Sequence, residues 1–350
     1  MSAQLRQERT PSVDELISLI KERDLRIAEL ECAAAELQSS RRAIRFAATM
    51  VMAAVKMQAV SLLKPQLGVL RQYPPRPLQV PNTEKLPVPP DAPQKVSIVT
   101  PSFNQARYLE RTIRSVIEQN YPNFEYIVQD GGSSDGSVEI LEKYGHSLKH
   151  WESARDGGQQ CAINLGFRHT TGEIMAYLNS DDFFFPGTLA YVADYFNRHP
   201  EVDVVYSHRL IVDEEDGEIG RWVMPPHKDG VLSWVDYVPQ ETLFWRREIW
   251  NKIGGQIDES FHFAMDWDLL IRFRDAGARF VRLPRFLAAF RVHPLQKTSA
   301  QIDDLGVREM DRLRRRCLGR TVTYVEIMNA VAGYLLRHTL YDKISRFWVF

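Results

Sequence analysis

An α/β fold, with a mostly parallel sheet flanked by helices, is predicted by three features of this 350-residue chain. Short apolar runs alternate with helical stripes from residue 95 to about residue 200. Acidic turns stand at the ends of two of those runs, and a proline-dense stretch separates the region from what precedes it.

The chain begins with a helix signal. Ser12 and Glu15 form a capping box, in which each side chain satisfies the other's free backbone donor. Counting sevens from Val13 and from Leu16 gives two series that are mostly apolar, interrupted by Arg23, Arg41 and Gln58. This heptad pattern over residues 12–64 predicts either a coiled coil joining copies of the chain or a single amphipathic helix lying on a neighbouring surface. The prolines from Pro65 to Pro93 then break any helix, so residues 65–94 are expected to form an extended connector.

From Lys95 the pattern changes. Residues 96–99 read as a strand, and Leu109, Ile113, Val116 and Ile117 as one face of a helix. Residues 126–128 read as a second strand ending at Asp130, which completes a βαβ unit and requires a parallel pair. Helices are expected over 137–144, 159–168 and 188–197, with a strand over 174–178. Residues 204–206 and 210–212, followed by Glu215-Asp216-Gly217, suggest two further strands and a turn. Residues 301–350 read as a helical extension. Its arginines at 312, 314, 315, 316 and 320 and its terminal Phe347-Trp348-Val349-Phe350 are consistent either with docking on an anionic membrane surface or with packing on the preceding domain.

Composition limits the partners. Lys and Arg total 44 against 45 for Asp and Glu, a formal net charge of -1, which argues against a broadly basic nucleic-acid-binding surface. Cys32, Cys161 and Cys317 match no zinc spacing and suit free thiols in a reducing compartment, so a cytoplasmic location, with peripheral contact at the inner face of a membrane, is the expectation. The apolar stretch near 43–63 is interrupted by Arg45, Lys56 and Gln58, short of the roughly 20 apolar residues a membrane span needs.

Asn179-Ser180-Asp181-Asp182 follows the predicted strand at 174–178. Adjacent carboxylates repel unless a cation or a proton intervenes, so a divalent metal is one reading; a solvated acidic turn is the plainer one.

Residues 95 to about 300 resemble the family 2 glycosyltransferases, nucleotide-sugar-dependent enzymes of the GT-A fold. The resemblance is carried, in the family's order, by 100–104 (TPSFN), 129–136 (QDGGSSDG), 156–158 (DGG), 164–166 (NLG), 179–182 (NSDD) and 265–269 (MDWDL). It implies a nucleotide-sugar half over 95–215 and an acceptor half over 216–300. Thr100 and Pro101 would meet the nucleotide base, with Pro101 ending the first strand. Asp130 would accept bonds from the ribose or base, although Asp135 reads more simply as the cap of the helix at 137. Asp156 resembles a second nucleotide-contacting Asp, or else an ordinary turn residue.

Asp181 corresponds to the family's metal-binding Asp, with Asp182 beside it, and Mn2+ or Mg2+ would stabilise the departing diphosphate. Asn179 stands where many relatives have Asp. Asp266, near the start of a helix that Ala276-Gly277 ends, is implied to be the catalytic base of an inverting transfer; from the residues alone a helix cap is equally served. Met265 replaces the Glu usual before it. Arg291 and His293 resemble a motif that reaches the diphosphate or the metal. Gln240-Glu241 matches an acceptor-side segment, Trp245, Trp250 and Trp267 suit core packing more than sugar stacking, and Cys161 reads as a small buried residue.

The resemblance implies transfer of a sugar, most commonly from a UDP donor, to a hydroxyl of a glycan or lipid-linked glycan, as in cell-surface polysaccharide assembly. Two alternatives are a nucleotidyltransferase, opposed by the lack of a glycine-rich loop after the first strand, and a non-catalytic coiled-coil scaffold. If the heptads join copies, deleting residues 1–64 lowers the mass measured by light scattering; an unchanged mass sinks that expectation.

Overall fold

The computed structural model describes residues 72–79, 92–294, 296 and 305–345. The expected coiled coil over 12–64 and most of the connector over 65–94 lie outside them. In chain order the elements are β1 (Val96–Ser102), α1 (Ala106–Ile117), β2 (Phe124–Asp130), α2 (Ser137–Tyr144), β3 (His150–Ser153), α3 (Gln159–Arg168), β4 (Ile174–Tyr177), β5 (Phe183–Phe184) and α4 (Thr188–Arg198). There follow β6 (Val204–Val212), β7 (Glu218–Trp222), α5 (Asp229–Leu232), β8 (Phe244–Arg246), α6 (Arg247–Lys252), α7 (Met265–Asp275), β9 (Phe280–Arg291), α8 (Val307–Leu318) and α9 (Tyr324–Ser345).

One sheet runs in the order β3-β2-β1-β4-β8-β6-β9-β5, with β7 paired to β6. The first four strands are parallel, as the βαβ alternation predicts. Beyond β4 the sheet is mixed: β8 pairs antiparallel with both β4 and β6, β9 lies parallel to β6, and β5 and β7 pair antiparallel. The strand order reverses between β1 and β4, and ligands of open α/β sheets sit outside the carboxyl ends at such a point. Alternate strand residues feed two cores. Val96, Ile98, Tyr126, Val128, Ile174 and Ala176 pack on one face, while Val99, Ile127, Met175 and Tyr177 pack on the other. Gly166 allows α3 to approach β1, since a Cβ there would stand 2.4 Å from Val99 Cγ1.

Among the elements that differ from the sequence expectation, β1, β6 and β9 show the physical reason most directly. β1 runs on through Pro101 to Ser102, in register with Asp130. The Val99 carbonyl accepts from Leu178 and the Ser102 carbonyl accepts from Gly131, so odd positions face β4 and even ones face β2. Pro101 therefore turns its missing N–H toward β4, whose pairing stops at Tyr177, and no ladder bond is lost. β6 is one continuous strand where two were expected. Its polar centre is satisfied internally: His208 Nδ1 accepts the Met224 N–H, and Arg209 is bound by Glu241. Burial, reinforced by nearby Arg282 and His338, pushes the His208 imidazole down to about 3, so it accepts as the neutral ring. β9 was not expected because Pro284 interrupts it; the β6–β9 register shifts between Tyr206 and His208, opposite that proline.

The C-terminal extension takes the second of its two expected forms and packs on the domain. Leu313 and Val331 are fully buried in the core that also holds Trp267 and Leu270 of α7. Among the described residues no helix is long and apolar enough to cross a membrane. Part of the proline connector is also docked. Tyr73 and Arg76 donate backbone N–H groups to Ile219 and Glu218 of β7, and both side chains bind the buried Glu218 carboxylate.

At the amino ends of the strands, Glu125 receives Ser97 Oγ, the Thr171 and Gly172 N–H groups, and the ammonium groups of Lys149 and Lys95. Burial alone would raise its pKa, but these donors reverse the effect and hold it well below the usual carboxylate range. Its contribution to stability is therefore complete above the unfolded value of about 4.3 and is lost as pH falls below it. Glu125→Gln is expected to lower unfolding free energy by about 3 kcal/mol at pH 7 in urea titration, and to flatten the loss of stability below pH 4.

Candidate functional site

The carboxyl ends of β1, β2 and β3 carry three loops that meet. Phe103, 61 % exposed, lies with Asp156 against Gly131, where a Cβ would stand 3.3–3.4 Å from both side chains. Gly132 adopts φ +81, a conformation that favours glycine, and brings the backbone of the second loop against Arg155. Asp156 Oδ1 accepts the Gly158 N–H at 2.8 Å, which shapes the turn into α3.

Asp130 does not present a free carboxylate here. It is fully buried; Oδ2 accepts the Gly132 and Ser133 N–H groups and the Ser153 hydroxyl, and Oδ1 accepts the Ser133 hydroxyl. These bonds fix the loop after β2. Thr100 is likewise buried, its hydroxyl accepting from Tyr126, so only the backbone and Pro101 remain at that edge. Asp135 stands one residue before Gly136, which takes the cap position expected of it, and its carboxylate accepts the Ser137 N–H and the Ala106 N–H at the starts of two helices.

The turn after β4 holds the acids in different states. Asp181 Oδ2 lies 3.0 Å from His293 Nε2, the distance of a hydrogen bond between carboxylate and ring. Asp182 is buried, with Oδ1 accepting the Arg291 N–H at 3.0 Å. Burial, then the charges of Asp181 and Glu241, push its pKa well above the usual carboxylate range, while the Arg291 N–H and Arg209 oppose them. Asp182 thus ties the turn to β9 through the Arg291 N–H.

Arg291 is also committed inward. Its guanidinium binds the carbonyls of Asp181, Asp213 and Glu214 and the Asp216 carboxylate, with its centre 4.8 Å from the Tyr108 ring. It is 2 % exposed and braces the acidic turn from behind.

Asn179 has a specific partner on each side. Its Oδ1 accepts from the Gln159 amide at 2.7 Å, and its Nδ2 donates to Gln240 Oε1 at 3.0 Å; Gln240 in turn donates to the Tyr177 carbonyl. An Asp could not donate to Gln240, so the neutral amide fits this chain. Glu241 is buried and held by both arms of Arg209 at 2.8–2.9 Å. Trp245, Trp250 and Trp267 are core residues, and Cys161, expected to be buried, is only half-buried.

Asp266 lies in the first turn of α7, partly exposed, and accepts the N–H of Trp267. Residue 264 takes the cap position, and Asp268 is buried against Arg272 and Arg316, so neither Asp is the cap. A residue that the sequence reading missed stands near Asp266. Partial enclosure by its neighbours and then the Asp266 charge raise the Asp236 carboxyl above its usual range, an effect that water at this exposed residue weakens. Asp236 carried no signal because it stands alone between Val235 and Tyr237, and only the fold brings it to α7. The buried Tyr177 phenol, without a hydrogen-bond partner, marks the convergence: Asp266, Asp236, Asp182 and Glu241 all act on it.

Three loops meeting over the carboxyl ends of β1 to β3, and an acidic turn where the strand order reverses, suit a GT-A type of glycosyltransferase. The model of Glycosyl transferase family 2 matches residues 97–264. An uncharacterised glycosyltransferase of Mycobacterium tuberculosis is 31% identical over 264 residues, 72% of this chain and 94% of that protein. The chondroitin synthase of Escherichia coli is 26% identical over 185 residues, 52% of this chain and 27% of that one.

Two solved structures share the fold. S. aureus TarS 1-349 in complex with UDP-GlcNAc has a TM-score of 0.53 at 20% identity, over 72% of this chain and 75% of that one. The mannosyltransferase PcManGT of Pyrobaculum calidifontis, in complex with GDP-Man and Mn2+, has a TM-score of 0.53 at 17% identity, over 85% of each chain. The chain belongs to glycosyl transferase family 2 and is an enzyme, which sets aside the scaffold and nucleotidyltransferase alternatives.

Arg291→Lys would keep the charge and lose the fork that spans four acceptors. Unfolding free energy is expected to fall by about 2 kcal/mol in denaturant titration.

Proposed function

We propose that this chain is a metal-dependent, inverting glycosyltransferase that moves a sugar from a nucleoside-diphosphate sugar, UDP-linked in the first instance, to a hydroxyl of a glycan or lipid-linked glycan. The observation that carries the reading is the acidic turn at the strand-order reversal, where Asp181 Oδ2 and His293 Nε2 stand 3.0 Å apart. The two relatives of known fold bind UDP-GlcNAc and GDP-Man, which supports a nucleotide-sugar donor here.

The donor half would receive the base beside Phe103, whose exposed ring offers a stacking face, with Asp156 adjacent. Pro101 and the backbone of Thr100 would form the floor. The metal suits the residues present. Asp181 and His293 offer an oxygen and an imidazole nitrogen side by side, and among the described residues no group of three or more His, Cys, Asp or Glu forms a closed cage. One or two protein ligands with the rest from substrate phosphates is the usual pattern for Mg2+ and is open to Mn2+. When bound, the ion would supply positive charge to the departing diphosphate.

On the opposite side Asp266 would take the proton of the acceptor hydroxyl as that oxygen forms its bond to the anomeric carbon and the carbon–diphosphate bond breaks. A single displacement from the far face inverts the configuration. Asp236, whose own carboxyl the Asp266 charge pushes toward the neutral form, would hold acceptor hydroxyls beside the base.

The test is release of UDP or GDP from a panel of sugar nucleotides with Mn2+, with and without glycan acceptors. One donor is expected to turn over, and Asp266→Asn to lower kcat by about 10²–10⁴ while UDP or GDP still binds. Turnover by Asp266→Asn at the wild-type rate would remove Asp266 as base.

A further inference from the structure

The family model stops at residue 264, two residues before Asp266, yet the start of α7 is fastened from outside that segment by α8. Glu309, in the first turn of α8 and 6 % exposed, accepts three successive backbone N–H groups: His262 on Oε1 at 2.9 Å, and Phe263 and Ala264 on Oε2 at 2.8 and 2.9 Å. Gly306 lets the start of α8 close on the same loop, since a Cβ there would stand 3.0 Å from the Phe263 ring. Further along α8, Arg314 donates to the Trp234 carbonyl and lies 5.4 Å from the Trp267 ring centre, and Arg316 pairs with the buried Asp268 at 2.6 Å.

Residues on both sides of Asp266 are thus held by one helix. Three N–H groups pointing to one spot at a helix start make a concentration of positive partial charge that a carboxylate neutralises. No single turn of α7 supplies such a partner, because the first N–H groups of a helix have no intrahelical acceptor. The His262 ring continues the connection, with Nδ1 2.7 Å from Gln160 Nε2 on α3, which begins directly after Asp156-Gly157-Gly158.

We infer that Glu309 is a positioning residue for sugar transfer: by fixing the backbone of 262–264 it sets where the first turn of α7, and therefore the Asp266 carboxylate, stands in the cleft. The inference rests on Asp266 being the base. It adds a residue from the C-terminal extension to the machinery of the reaction. An ångström of misplacement is enough to lower a rate by up to about 100-fold, so the effect belongs in kcat.

The full-length chain is assayed with the donor found above, and kcat is read beside the affinity for UDP or GDP alone. Glu309→Ala is expected to lower kcat by about 10- to 100-fold with nucleotide affinity within about twofold of wild type. Glu309→Gln, which keeps an acceptor for one side of the loop only, should fall between. Arg316→Met, which removes the Asp268 pair and leaves Arg272 in place, is the second variant if Glu309→Ala does not fold, and should lower kcat severalfold.

Wild-type kcat in these variants overturns the role. So does a parallel loss of kcat and nucleotide affinity, which would mark α8 as general support. Asp266→Asn in the same assay separates the two readings. Its turnover would retire the base assignment; an inactive Asp266→Asn beside fully active Glu309 and Arg316 variants would retire only the positioning role.

Discussion

Everything at this site depends on how two neighbouring carboxylates are kept at the end of a buried strand. Charge there is tolerable only where partners are already in place, and the turn after β4 is held from several directions. Arg291 of β9 gives its backbone N–H to Asp182 and its Nε–H to the Asp181 carbonyl. Thr112 of α1 brings its hydroxyl within 2.9 Å of the Ser180 carbonyl and 2.7 Å of that of Asp182. Asn179 is gripped by glutamines from α3 and from the segment before β8. The sheet order follows the same need, because β9 must return beside β6 to bring Arg291 and His293 to this turn.

The acids then divide by environment. Asp182, enclosed and crowded by Asp181 and Glu241, favours its neutral form and serves structure. Asp181 keeps an edge in water and an imidazole beside it. Asp236 and Asp266 form a second pair, in which one charge disfavours the other. Carboxylates of one chemical type are thereby given separate tasks by burial and neighbours.

Local pattern made the parallel half of the sheet legible, since βαβ units announce themselves by period, and the helices over 137–144 and 159–168 fall where that period ended. The mixed half of the sheet was not, because its strands obey distant constraints: β9 carries Pro284 and is accommodated only by a register shift against β6. Site residues divide in the same way. Asp181, Asp156 and Asp266 stand in segments whose spacing exposes them. Asp130 and Arg291 stand in such segments too, but their side chains turn inward to brace loops, which depends on partners up to 110 residues away. The arginines of the C-terminal helix looked like a surface charge in composition, while Arg312, Arg314, Arg316 and Arg320 all bind partners within the protein. Asp236 and Glu309 had no sequence signal, because each acquires its meaning from a tertiary neighbour.

The docked proline segment at 72–79 bears on solubility. β7 is paired with β6 on one side, and its other side would present unpaired amides to a second molecule. Tyr73 and Arg76 occupy those amides, and their flanking Pro74, Pro75 and Pro77 have no N–H to extend the ladder further. At Glu218 and Ile219 the outer edge of β7 is thus occupied by residues that cannot propagate the sheet, a safeguard there against edge-to-edge aggregation.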